Sequence, residues 1–349
     1  MVSRFLGMKN KSLIFVFFYL ALTAQNGIQK TFTFLDLPSS ARIARLGGNA
    51  FAMLSNESAD VLANPALLRD TLSGAITLHY DKFLAGIHYG IVSYAFSFPR
   101  WGNYAAHLQY LNYGKMREMD EYGNEKGDFS AYETALTFSW GRWFTSQFSL
   151  GSNVKYVYSS LYSKLAHGLA VDVAAMYTWQ EHGWYGVLML KNIGRQFKPY
   201  VKPVYEPFPF DAQLAVYKLL KGSPLALSFV YHHLHRWNIL YFDSSRVEID
   251  PITKEPQYPS KFQITFNTLL RHIHVGGDFY IGKHLSFGIG YNFQRRQELS
   301  YPSRRAFVGL TWGVTLSTRR FSISYARNSY YPGLSPNMFT FSTKLSAWK

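Results

Sequence analysis

The sequence predicts an all-β transmembrane barrel of fourteen antiparallel strands, with a short helical segment folded into its lumen. Three observations predict it. From residue 73 onward apolar and small polar residues alternate with period two, the pattern of a strand whose two faces meet different surroundings. Aromatic residues make up 18% of the chain and charged residues only 16%, a balance uncommon in soluble enzymes and ordinary for a wall that meets lipid. The connections between candidate strands fall into two length classes that alternate along the chain.

Met1 to Ala24 has the three parts of a secretory leader. Arg4, Lys9 and Lys11 are followed by an uncharged apolar stretch from Leu13, and small Ala24 stands before polar Gln25-Asn26-Gly27. The apolar stretch is shorter than the roughly 20 residues of a membrane helix. A leader without an anchor helix leaves periplasm, secretion or outer membrane, and the strand pattern selects the cell outer membrane. The chain has no Cys, so disulfide, iron–sulfur and thiolate–zinc sites are excluded. Its formal charge of +15 is scattered, without a basic run of the nucleic-acid type, and suits anionic lipopolysaccharide headgroups better than nucleic acid.

Residues 25–72 differ from everything after them. They are rich in Ala, Leu and Ser at spacings that suit short helices. Gly47-Gly48 permits a sharp turn or a close backbone approach, and Asn64-Pro65-Ala66 stops any helix running into it. A barrel with a small polar lumen face would leak unless filled, and this segment is the spare material, so it reads as a hatch. A periplasmic linker is the alternative, but a linker carries fewer apolar residues than Ile43, Leu46, Phe51, Leu54, Leu62 and Leu67.

Residues 73–349 form the barrel, with strands expected at 74–80, 87–98, 103–113, 131–140, 147–158, 168–178, 184–191, 210–219, 225–235, 273–280, 285–294, 305–316, 321–328 and 338–346. Phe287, Ile289 and Tyr291 oppose Ser286, Gly288 and Gly290; Leu136 and Phe138 oppose Thr137 and Ser139. A soluble sandwich would also alternate, but lengths near a tilted membrane crossing and Tyr and Trp at the strand ends favour the barrel. If the N-terminus is periplasmic, every even-numbered connection is a short inner turn: Pro99–Gly102, Gly141–Ser146, Trp179–Gly183, Leu220–Pro224, Ile281–His284 and Ser317–Arg320. The opposite set holds every long loop, at 114–130, 159–167, 192–209, 236–272, 295–304 and 329–337; only its first member, Asp81–Gly86, is short. Residues 261–269 look like a strand by composition, but a fifteenth strand would reverse every later side, so they belong to the long loop.

"SARIARLGGNAFAMLSNESADVLANPALL" resembles the N-terminal signature of FadL-type outer-membrane barrels, in which paired Gly leads to Asn-Pro-Ala inside fourteen strands. "YLNYGKMREMDEYGNEKGDFSAYE" (110–133), "GLAVDVAAMY" (168–177), "NIGRQFKPYVKPVYEPFPFDAQLAVYKLL" (192–220) and "HHLHRWNI" (232–239) are similar to the narrower PorQ-like family of the type IX secretion system. The resemblance implies a non-catalytic scaffold of the cell-surface attachment complex. Such a scaffold tethers PorZ-like proteins through its extracellular loops, beside PorU and PorV-like components, while cargo is linked to lipopolysaccharide. It would be a monomeric barrel within a hetero-complex. The wider superfamily implies the alternative, a FadL-like channel for hydrophobic compounds.

The outer loops 192–209 and 236–272 are the expected partner surface, with Tyr200, Tyr205, Pro207, Phe208 and Trp237 as their aromatic and Pro anchors. His232, His233 and His235 end the ninth strand and His272 and His274 open the tenth. Strand period puts His233 with His235 and His272 with His274, so His233, His235, His272 and His274 are weak metal candidates, more readily read as hydrogen-bonded rim residues. Asp120, Glu121, Asn124, Glu125 and Asp128 make an acidic loop without the EF-hand order, expected to be solvated. No G-x-S-x-G occurs, Gly333 to Asn337 failing at its last position, so no enzyme and no cofactor is expected. Asp172 and Glu133 face away from lipid and are expected to pair, with hatch cations as one choice of partner.

Overall fold

The computed structural model describes residues 30–348, apart from 49–50, 84–85, 99, 240–247, 250–255, 258–259, 301–306, 332 and 334. The expected leader, residues 1–24, lies outside the described residues. The barrel strands are β1 (Ala75–Lys82), β2 (His88–Phe98), β3 (Gly102–Met119), β4 (Glu125–Trp143), β5 (Phe148–Leu161), β6 (Lys164–Trp179), β7 (Trp184–Lys198), β8 (Asp211–Leu219), β9 (Leu225–Tyr231), β10 (Ile273–Ile281), β11 (Leu285–Asn292), β12 (Leu310–Ser317), β13 (Phe321–Asn328) and β14 (Asn337–Lys344). Each pairs antiparallel with its neighbour in sequence, and β14 returns to β1 through Ala75↔Lys344 and Lys82↔Asn337, so the sheet closes without an edge.

The wall is inside out relative to a water-soluble protein. Leu78, Val92, Phe138, Ile289 and Phe339 are exposed outward, while Thr77, Ser93, Thr137, Ser139 and Thr311 are buried inward. Apolar area costs about 25 cal/mol per Å² in water, so a belt of this composition is stable only against acyl chains. Among the described residues no helix is long and apolar enough to cross a membrane.

Two expected loops are strand instead. β3 and β4 run for 18 and 19 residues, against the roughly 9–11 of a membrane crossing, and keep pairing at Lys115↔Ser130, Met116↔Phe129 and Arg117↔Asp128. β5 and β6 continue likewise to a turn at Tyr162, where φ is 54°. The alternation fades there because both faces of the extended hairpins meet water, while the backbone ladder carries on. The wall is therefore tall from β3 to β7 and low from β8 to β14, whose strands are 7 to 9 residues long.

β9 stops at Tyr231 rather than 235 because His233 takes φ 57°, which a strand cannot continue through. Residues 261–269 lie in the connection after β9, within helix Lys261–Arg271. Ser260 sets it up: its hydroxyl accepts from Gln263 N–H at 3.2 Å, and Gln263 Oε1 accepts from Ser260 N–H at 3.0 Å. This reciprocal cap outweighs the β-branched composition.

Candidate functional site

Among the described residues, the lumen holds 31–48 and 51–72. Thr31 N–H donates to Pro207 O at 3.1 Å, at the end of the barrel with the long connections. Trp143 Nε1 donates to Leu68 O at 3.0 Å at the end with the short turns, so the segment runs the length of the lumen. Its helix Ala41–Ala44 starts where Ser40 Oγ accepts from Ile43 N–H. That helix lies against β12, β13 and β14; the turn Ser58–Leu62 lies against β1 to β4, and Pro65–Leu67 against β4 to β6.

Small lumen residues make this fit possible. A Cβ on Gly290 would lie 2.4 Å from the carbonyl carbon of Leu46, and one on Gly151 would lie 2.3 Å from that of Pro65. Gly47 and Gly48 take φ 104° and 96°, which side-chain-bearing residues rarely adopt, so the chain can turn after Leu46. Asn64 is buried, its Oδ1 accepting from Ala66 N–H and its Nδ2 donating to Phe51 O, both at 3.0 Å. Pro65 begins the next helical turn, and Ser149 Oγ donates to Ala66 O at 2.8 Å.

Charge is stapled as well. Arg45 pairs with Asp278 at 2.7 Å, and its guanidinium donates to Thr315 Oγ1 at 2.7 Å and Ser286 Oγ at 3.1 Å. Glu57 Oε1 accepts from Ser322 and Ser324, each at 3.3 Å. Burial, then Asp60, pushes the Glu57 carboxyl up to about 7. Burial also raises Asp60, against the pull of Arg42. Asp172 finds its cation in the wall, not in the hatch: Lys155 of β5 lies 2.7 Å away. Glu133 takes a hydroxyl, accepting from Tyr113 at 2.6 Å. No local pattern in the sequence marks the hatch pair Arg45–Asp278, although Asp278 lies on the same strand face as Gly276, the small face of β10.

At the outer rim the expected anchors separate. Phe208 is buried and packs on Phe32 at 5.0 Å; Tyr200 lies 6.5 Å from the same ring and donates to Ser159 Oγ at 2.6 Å. Phe208 and Pro207 O hold the hatch, so Phe208 is turned away from any partner, while Tyr200 and Pro207 stay partly exposed. Tyr205 and Trp237 are exposed, Trp237 stacked on His272 at 5.6 Å. The expected four-histidine grouping also changes. His272 bonds the His232 and Trp237 carbonyls through Nδ1 and Nε2, and His235 packs on Phe210. His274 instead meets His232, ring centres 4.4 Å apart, and His232 and His233 converge with Asp211. In the acidic loop Asp120 closes a turn, accepting from Tyr122 and Asn124 N–H groups, and Glu125 pairs with Arg117. The hydrogen bonds from Asn124 hold the Asp120 carboxyl below its usual range.

A lumen cavity of about 20 Å³ remains between Leu35, Ile43, Phe51, Lys155 and Lys191. It has room for about one water. A larger cavity of about 340 Å³ opens at the rim, lined by Asp211, His232, His233, His274, Arg295 and Glu298 among others.

No protein-family model matches the sequence, and no curated protein does. Solved structures do. The toluene transporter TbuX of Ralstonia pickettii aligns at a TM-score of 0.50 and 12% identity, over 89% of this chain and 99% of that one. The toluene transporter TodX of Pseudomonas putida aligns at 0.50 and 12%, over 88% and 96%, and a TodX deltaS2S3 mutant, a monoaromatic hydrocarbon channel, at 0.51 and 13%, over 88% and 99%. At these identities the likeness concerns the fold. With a closed wall, an outward apolar belt and that shared architecture, the chain folds as a fourteen-strand antiparallel barrel of the outer-membrane type, the fold of these toluene transporters.

Proposed function

We propose that this barrel is a non-catalytic scaffold that presents its outer rim to secreted or surface-attached partner proteins. The observation that carries the reading is the pairing of a filled lumen with a tall, hydrogen-bonded ledge. Arg45–Asp278 and the small-residue sockets hold the hatch in place, while β3–β6 project as a rigid edge braced by Tyr162 OH on Glu118 at 2.7 Å. A rigid ledge loses little entropy on docking. The sequence resemblance to PorQ-like proteins supplies the class of partner: PorZ-, PorU- and PorV-like components of a type IX secretion system, acting while cargo is joined to lipopolysaccharide.

A second reading, passage of hydrophobic compounds, is favoured by the fold shared with toluene transporters. Against it stands the lumen cavity of about 20 Å³, small beside the roughly 150 Å³ cavity that takes a benzene. Passage would need the hatch to move.

Gentle detergent extraction followed by affinity capture of this chain decides between the two. The scaffold reading expects a large outer-surface protein to co-purify, and gene deletion to release or misprocess many secreted proteins with hydrophobic uptake unchanged. A lone barrel, with deletion impairing uptake of monoaromatic compounds and leaving secretion normal, establishes the channel instead.

A further inference from the structure

We propose that Asp211, His232 and His233 form a divalent-metal site of the zinc class at the outer rim, open to the rim cavity. One ligand atom from each of the three lies within 4.8 Å of the others. Neighbouring residues of a regular strand point to opposite faces, so His232 and His233 should diverge. They do not, because His233 takes φ 57°, which ends β9 and folds the two rings together, centres 4.8 Å apart. Left-handed backbone at a bulky side chain is costly and gathers at functional sites.

Asp211 fixes that bend. Its Oδ1 accepts from the His233 backbone N–H at 2.7 Å and lies 3.8 Å from His233 Nδ1, while Gln213 Nε2 donates to Oδ2 at 2.6 Å. The carboxylate is thereby oriented by neighbours, as metal-binding carboxylates are. The two imidazole nitrogens Nδ1 of His232 and His233 face each other in direct contact. An ion with ligand distances of about 2.0–2.1 Å would spread two such nitrogens to about 3.3 Å, a small movement in this loop.

The donor set selects the ion. Two imidazoles and a carboxylate suit Zn²⁺, Co²⁺ or Ni²⁺, whereas Ca²⁺ and Mg²⁺ prefer all-oxygen shells. The adjoining cavity of about 340 Å³ leaves a further position for water and an entry path. Lys30 and Arg295 on the cavity wall oppose a cation, and Asp36 and Glu298 there offset them.

The test uses the tag-free full barrel in detergent, stripped with EDTA and titrated with Co²⁺. The expected result is saturable binding of one equivalent with a visible d–d absorption, displaced by Zn²⁺. Asp211→Asn and His233→Asn should each weaken it at least about tenfold, while His88→Asn, far off on β2, leaves it unchanged. Heat-modifiable migration on gels establishes that each variant barrel is folded. If a variant does not fold, the unmodified barrel decides alone: absence of a saturable one-equivalent signal overturns the site. So does undiminished binding in folded His233→Asn.

Discussion

Arg45 is fully buried with its partner Asp278, and both are held by one another in the lumen. Removing one member of such a pair leaves an uncompensated charge. Arg45→Met should therefore cost about 3–5 kcal/mol, and Arg45→Met with Asp278→Asn should recover most of it; urea midpoints of the folded gel band measure both. Gly290→Val places atoms where Leu46 backbone already lies. The wall is the stronger element, so the hatch should be displaced and become cleavable by protease, with the barrel still heat-modifiable. Glu57 adds a pH dependence. Its carboxyl binds a proton more readily folded, about 7, than at its ordinary 4.5. The folded state thus holds more protons across that window, so hatch stability falls as pH rises from about 4.5 to 7 and stays lower above it. Protease protection of the hatch at pH 5 and pH 8 reads this out, and Glu57→Gln should flatten the difference.

At the scale of elements, the extended hairpins separate the membrane wall from the ledge. Joining Lys115 to Ser130, which pair across β3 and β4, through an Asn-Gly turn should leave a folded barrel, since the ladder below is intact. The scaffold reading expects partner recovery to fall; unchanged recovery moves the grip elsewhere on the rim. The connection between β7 and β8 divides in the same way. Phe208→Ala should cost about 3–5 kcal/mol through the lost Phe32 contact, whereas exposed Tyr205→Ser should leave stability unchanged and report on docking alone. Replacing the whole stretch at once would confound the two effects.

Over the whole molecule, the hatch packs on wall strands around the barrel, from β1 to β6 and from β12 to β14. Reconstituted in a planar bilayer, the unmodified barrel should carry no steady ion current, because the hatch backbone at Leu46 and Pro65 packs directly on the lumen wall at Gly290 and Gly151. Gly290→Val should conduct. Equal, open conductance in both would show that the hatch does not seal the barrel.

Much of this architecture was legible in order along the chain. Period-two alternation located every wall strand, since lipid on one side and a polar lumen on the other impose opposite chemistry on successive residues. Connection parity kept residues 261–269 out of the wall. Legibility failed where that contrast disappears. β3 and β4 above the membrane are wet on both faces, and the hidden helix at Lys261–Arg271 depends on one capping pair.

By itself the sequence determined the fourteen strands, the inward and outward faces and the presence of a segment unlike the wall, because these follow from local periodicity and composition. The tertiary structure alone decided which groups meet: Arg45 with Asp278, Lys155 with Asp172, Phe208 with Phe32, and Asp211 with His232 and His233. Those contacts join residues far apart in the chain, and the last depends on a single left-handed backbone angle at His233. No periodicity encodes such an angle, so the rim site becomes visible only once the strand that should have continued is seen to bend.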